Sequence, residues 1–225
     1  MTISSKNSGL VDTFLGRRKE VVVLVDPYST GCLVGQEIAK RGYLLICLWT
    51  DEFADVMKAH VPISCGTMQY FAVVDQKAGM NLDDVAEEVK EACGPYQLVA
   101  VMAGGDRGVD FADALSECMG LMTNGTHIPN RRDKKIQQEL VAANGLRAVR
   151  QAGGPHFSDI EWFLKKEHYP LVLKPIESSG SDGVKLCYNY DEAKEHFYSI
   201  MNTPMVDGGA NTGVLAQEFL RGSKC

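Results

Sequence analysis

Apolar positions recur along this chain in strand and helix rhythms, and their order predicts the architecture. After Glu20 the run Val21-Val22-Val23-Leu24-Val25 is unbroken and rich in β-branched residues, as a strand covered on both faces requires. Pro27-Tyr28-Ser29-Thr30-Gly31 supplies a turn, and Val34, Ile38 and Ala39 then fall at helical spacing until Arg41-Gly42 closes the element. Residues 44–49 read as a second buried strand and residues 70–74 as a third. Asn81 is placed to cap a helix over 81–93 whose Leu82, Val85, Ala86 and Val89 share a face. A fourth strand, 98–102, breaks at Gly104-Gly105, and Phe111, Ala112, Leu115 and Cys118 line a helix that Gly120 ends. Parallel neighbours need helical crossovers, so this alternation predicts a Rossmann-like, doubly wound parallel sheet over residues 19–124.

A second unit begins at the turn formers Asn124-Gly125 and extends over residues 125–225. Ile136, Leu140, Val141 and Ala143 form a helical stripe with Gly145 as its left-handed stop, and Ser158-Asp159-Ile160-Glu161 reads as a capping box that opens a short helix. The run Tyr169 to Pro175 is an apolar strand, 184–188 a returning strand, and 191–201 a helix with Ala193, Phe197, Ile200 and Met201 inward. Residues 213–220 read as a last strand, left as an exposed edge that invites association. Residues 1–18 carry Ser4, Ser5, Ser8, Arg17 and Arg18 without an apolar signal core, and Asp12 intrudes, so a disordered tail is expected rather than a transit peptide.

Composition narrows the classes. The 225 residues are 45% hydrophobic, enough for a sizeable core. Lys and Arg number 23 against 29 Asp and Glu, a net charge of -6 with no basic block, which disfavours a nucleic-acid groove or an anionic membrane surface. No apolar stretch approaches the ~20 residues of a membrane span. The seven cysteines are scattered without a C-x-x-C pair, and they read as reduced thiols of a cytoplasmic protein.

The chemistry lies late in the chain. Lys174 ends an apolar strand, and Glu177-Ser178-Ser179-Gly180-Ser181-Asp182-Gly183-Val184 follows it. A strand-end lysine is ordinarily just solvated, and a loop of small residues is ordinarily a surface hairpin. Together they offer a point charge for phosphate oxygens beside backbone N–H groups that glycines leave accessible. The run is not a P-loop, since it lacks G-x-x-x-x-G-K-[ST] and its lysine precedes the glycines. Asp133-Lys134 at a helix start and Gln217-Glu218-Phe219-Leu220 on the last strand mean little alone.

In order and spacing, Asp133-Lys134 with Gly145, Leu171-Val172-Leu173-Lys174-Pro175, the 178–184 loop and Gln217-Glu218-Phe219-Leu220 resemble the ATP-grasp superfamily. The pattern is most similar to the ATP-dependent carboxylate–amine ligases of the bacterial L-amino acid ligase type. The resemblance implies a Rossmann-like pre-ATP-grasp domain followed by the first, incomplete α+β part of an ATP-grasp domain. It implies that Lys134 and Lys174 contact ATP phosphates while Ser178, Ser179, Gly180, Ser181 and Gly183 fold over them. Gln217 or Glu218 would reach the adenine amino group through side chain or main chain, with Phe219 and Leu220 walling the base. The implied reaction is phosphorylation of a small carboxylate or amino acid to an acyl phosphate that an amine then attacks. Similar enzymes carry a glutamate where Asp106 stands here, and they place Mg²⁺ ligands beyond the segment that matches Gln217-Glu218-Phe219-Leu220, the hinge, after which this chain ends. The expectation is therefore an ATP-binding portion, inactive alone, with a C-terminal partner chain or a homodimer completing it. The alternative is a catalytically silent nucleotide-binding module. A dinucleotide-dependent oxidoreductase is disfavoured, because no G-x-G-x-x-G run occupies the first strand-to-helix turn.

Overall fold

The computed structural model describes residues 19–50, 54–127, 131–178, 181–204 and 210–222. The expected tail, residues 1–18, lies outside them. Two compact units make up the chain, Met1–Pro129 and Asn130–Cys225.

The first unit is a parallel sheet in the order β3-β2-β1-β4, formed by β1 (Glu20–Val25), β2 (Leu44–Trp49), β3 (Ala72–Asp75) and β4 (Gln97–Ala103). Helix α1 (Gly31–Lys40) follows β1, α2 (Ala54–Lys58) follows β2, α3 (Leu82–Cys93) follows β3, and α4 (Val109–Cys118) follows β4. The central strands bury both faces. Val21, Val23, Val25, Leu44, Ile46 and Leu48 pack with Val85, Val89 and Leu115, while Val22, Leu24 and Leu45 pack with Ile38. This two-sided burial is why β1 and β2 read as continuous apolar runs. Asn81 caps α3 as its position indicated, with Oδ1 accepting from Asp84 N at 3.0 Å and Asp84 Oδ2 accepting from Asn81 N at 3.0 Å.

The second unit is an antiparallel sheet in the order β5-β8-β6-β7, from β5 (Gln151–Gly154), β6 (Leu171–Pro175), β7 (Lys185–Cys187) and β8 (Val214–Glu218). Helices α5 (Lys134–Ala143), α6 (Phe157–Lys166) and α7 (Tyr190–Asn202) complete it. Leu171, Leu173, Val214, Ala216 and Ala152 face Ile160, Phe163, Leu164, Phe197 and Ile200 of α6 and α7 in a single core.

Two expectations are corrected. The last strand is not an edge: β8 lies between β5 and β6 and is buried at all five positions. Strand β5 went unpredicted because Gln151-Ala152-Gly153-Gly154 carries almost no apolar signal and its glycines resemble a turn. Those glycines answer to packing instead. A Cβ on Gly153 would sit 2.7 Å from Leu215 Cδ1, and one on Gly154 would sit 2.4 Å from Asp159 Oδ2. Helix α6 also starts earlier than the Ser158 box predicts. It begins at Phe157, and Asp159 Oδ2 accepts from His156 N at 2.8 Å.

Gly31 opens α1 under a similar constraint, because a Cβ there would lie 1.5 Å from the carbonyl oxygen of Gly104. Helix propensity alone makes alanine the better residue by ~1 kcal/mol. The clash reverses the sign: Gly31→Ala should destabilise the protein by about 1–3 kcal/mol, read from its urea-unfolding midpoint.

Candidate functional site

Strand alternation builds the first part of the site. With Leu171, Leu173 and Pro175 turned to the core, Val172 and Lys174 lie on the opposite face of β6. Register pairs Val172 with Gln217 and Lys174 with Leu215, so these four residues share one side of the sheet. Lys134, the first residue of α5, comes to the end of the same strand. Its backbone N–H donates to Ile176 O at 3.3 Å, and its Nζ donates to Ser178 O at 2.7 Å and to Ile176 O at 3.3 Å. Asp133 caps the helix through Oδ1, which accepts from Lys135 N at 2.7 Å and Ile136 N at 3.0 Å. Burial lowers the pKa of Lys174 from the ordinary lysine value, and the Lys134 charge lowers it further. Two cations thus meet where the strand opens into the small-residue loop.

The structure brings Lys134, Lys174 and Ser178 together. Ser179 and Gly180 lie outside the described residues. Ser181 is exposed with φ 64, and its carbonyl accepts from Val184 N at 3.2 Å. Gly183 has φ 67, and its missing Cβ leaves room for Pro175 Cγ, which would otherwise be 2.8 Å away. Gly183 O also meets His196 Nε2 at 2.8 Å, which ties the loop to α7.

The hinge residues sit at the other end of the sheet. Gln217 is buried, and its Nε2 donates to Gln151 Oε1 at 2.8 Å, while Gln151 Nε2 donates to Lys135 O at 2.9 Å. Glu218 is 8% exposed. Its Oε1 accepts from Arg150 N at 2.9 Å and Arg147 Nη2 at 3.1 Å, and its Oε2 meets Arg150 Nη2 at 2.7 Å. Arg150 reaches Glu167 as well, Nε to Oε2 at 2.7 Å and Nη2 to Oε1 at 3.1 Å. That pairing holds the Glu167 carboxyl down at about 2. Phe219 and Leu220 are partly exposed and, with Arg147, Arg150, Tyr169 and Arg221, help to line a cleft of about 470 Å³. Neither lysine lines it. The candidates therefore occupy two places on one sheet, lysines at one end and hinge at the other. Sequence reading missed Arg147, Arg150 and Glu167, whose only signal was a pair of arginines just ahead of an unrecognised strand.

In the first unit the loops after β1 and β4 converge. Asp26, at φ 49 and 1% exposed, accepts from Thr50 N at 2.8 Å through Oδ1 and from Thr50 Oγ1 at 2.7 Å through Oδ2. Burial raises its pKa, against the Thr50 hydrogen bonds and the Arg107 charge. Gly104 N donates to Val25 O at 2.6 Å, and Asp106 opens a 3-10 turn, residues 106–108, beside these groups. The β1/β4 boundary is where strand order reverses, the usual ligand crevice of such sheets. Among the described residues no group of three or more His, Cys, Asp or Glu is placed to hold a metal ion. No described helix is long and apolar enough to cross a membrane. The six described cysteines are free, five of them buried.

No protein-family model matches the chain. Dapdiamide A synthase of Enterobacter agglomerans is 29% identical over 209 residues, covering 92% of this chain and 47% of that protein. The L-amino acid ligase of Bacillus licheniformis superposes with a TM-score of 0.59 at 18% identity, over 91% of this chain and 47% of that one. The biotin carboxylase of Campylobacter jejuni, in its β-γ-ATP complex, superposes with a TM-score of 0.55 at 14% identity, over 89% of this chain and 45% of that one. The chain is similar to ATP-grasp ligases in sequence and in fold. Its resemblance to the carboxylate–amine ligases of that superfamily holds in both sequence and architecture. The chain spans about half the length of these relatives.

The lowered pKa of Lys174 carries a stability consequence. Between the folded pKa and the ordinary value of 10.5 the unfolded chain binds more protons, so stability rises with pH through that window. Below it the charged, half-buried lysine is a constant cost. Lys174→Met should therefore raise the urea midpoint at pH 7, and the difference should shrink as the pH climbs toward about 10.

Proposed function

We propose that this chain is the ATP-binding portion of an ATP-dependent carboxylate–amine ligase. The observation that carries the reading is the meeting of Lys134 and Lys174 at the mouth of the 176–178 segment. A half-buried lysine beside a second cation is costly to keep charged, and a polyphosphate placed there repays that cost. The 178–183 loop, with Ser178, Ser179, Gly180, Ser181 and Gly183, closes over the phosphates. Gln217 or Glu218 reaches the adenine amino group, and Phe219 and Leu220 wall the base. Residues 19–124 form the pre-ATP-grasp domain and 125–225 the N-terminal half of the ATP-grasp domain.

In the reaction assigned to the whole enzyme, a carboxylate oxygen of a small acid or amino acid attacks the γ-phosphorus. The Pγ–O bond to ADP breaks and an acyl phosphate forms. An amine then attacks the acyl carbon, and inorganic phosphate leaves as the amide C–N bond forms. Lys134 and Lys174 hold the phosphate chain and offset charge on its oxygens, the dominant task in phosphoryl transfer. Mg²⁺ belongs to the reaction by resemblance, while among the described residues no group of three or more His, Cys, Asp or Glu is placed to hold a metal ion. The proposed partners are a C-terminal partner chain or a second copy of this chain, in the cytoplasm.

Titration calorimetry tests the binding claim. The isolated chain should bind ATP, and Lys174→Met or Lys134→Met should weaken it about tenfold or more, in line with loss of a charge-assisted hydrogen bond. Unaltered affinity in both variants sinks the phosphate site. An ADP-release assay with mixed amino acids should show no turnover by the chain alone, and clear turnover would show that it needs no partner.

A further inference from the structure

Glu218 is the last residue of β8 and the first of the hinge segment, and its fixation to residue 150 is double. Through the backbone, Glu218 N donates to Arg150 O at 3.0 Å. Through the side chain, the carboxylate receives Arg150 N, Arg150 Nη2 and Arg147 Nη2, which engages both oxygens. Arg150 is in turn braced by two bonds to Glu167, the residue that closes α6. Two guanidinium groups and two carboxylates match in charge, so the cluster offers little net attraction to a phosphate. Its geometry does something else: it fixes where the main chain of Phe219 and Leu220 leaves the sheet.

We propose that Arg150 and Glu218 are positioning residues for purine recognition, holding the 218–220 backbone in register for the edge of the base, with Arg147 as support. The inference rests on the nucleotide reading above, and it assigns Glu218 a main-chain role toward the base, because its carboxylate is committed to the two arginines. A base read by backbone donors and acceptors is distinguished from other purines only if those groups stay put. Adenine and guanine present opposite donor and acceptor patterns on the edge concerned. A loosened hinge should therefore lose discrimination before it loses affinity for phosphates.

The test compares ATP, GTP and inorganic tripolyphosphate binding by calorimetry for the intact chain and for Arg150→Gln, Arg150→Lys, Arg147→Gln and Glu218→Gln. Arg150→Gln should weaken ATP about tenfold and reduce the ATP:GTP preference by a similar factor, as expected for loss of a bidentate, charge-assisted contact, with tripolyphosphate within about twofold of the parent. Arg150→Lys should recover part of the preference. Arg147→Gln, at the more exposed arginine, should shift it in the same direction and serves where Arg150→Gln fails to fold. Equal weakening of all three ligands would overturn the proposal, since a merely structural arginine behaves that way. It is overturned too if Glu218→Gln alone changes base preference while both arginine variants leave it intact, the signature of direct contact between the carboxylate and the base. An unmodified chain that binds none of the three ligands removes the nucleotide reading and this inference with it. One that binds tripolyphosphate and ATP alike, with no base preference, removes this inference alone.

Discussion

The insertion of β8 between β5 and β6 is the constraint on which the second unit depends. One antiparallel register sets Leu171 opposite Glu218, Val172 opposite Gln217 and Lys174 opposite Leu215. The pleat then divides the strand: Leu171 and Leu173 have no exposure at all, while Lys174 takes the other face. A slip of one residue would drive the lysine into the apolar core and bring Leu173 out, an exchange that burial of an unpaired charge forbids. The β5–β8 register, with Gln151 opposite Gln217, brings Glu218 level with Arg150. Gly153 and Gly154 make the insertion possible, because any Cβ there would strike Leu215 or Asp159.

Charge is treated differently at the two ends of this sheet. At the hinge, Arg147 and Arg150 are matched by Glu218 and Glu167, and the Glu167 carboxyl is held at about 2 as a result. At the lysine end, Lys174 faces a second cation and partial burial, both of which oppose its charge. An anion relieves the second arrangement and disturbs the first. Local geometry therefore decides where phosphate is favoured in a chain whose overall charge is -6.

The parts legible in the sequence were those with strong period or punctuation. β1 and β2 announced themselves as apolar runs because both faces are covered, and α3 announced its start through Asn81. Lys174 and its loop stood out because a charge at the end of an apolar strand needs a reason. Hidden from view were features that depend on distant partners. β5 carries a single apolar side chain, Ala152, and derives its pairing from β8, more than sixty positions away. That omission also made β8 look like an edge. The arginine–glutamate cluster joins residues 147 and 150 to 167 and 218, and no local spacing reveals such a set.

The separation of the two charged ends bears on what the sheet can hold. Glu218 pairs with Leu171 at the start of β6, and Lys174 stands three residues further along. At about 3.3 Å per residue that is roughly 10 Å of strand. Between them on the face opposite the α6–α7 core lie half-buried Val172 and fully buried Leu215, with buried Gln217 beside them. A ligand that engages both ends must carry a flat group able to meet the hinge backbone and an anionic tail that reaches the lysines. A free phosphate or a simple amino acid satisfies only one end. The nucleoside polyphosphate proposed above carries both groups, and the exposed Phe219 and Leu220 are apolar surface beside the place proposed for its base.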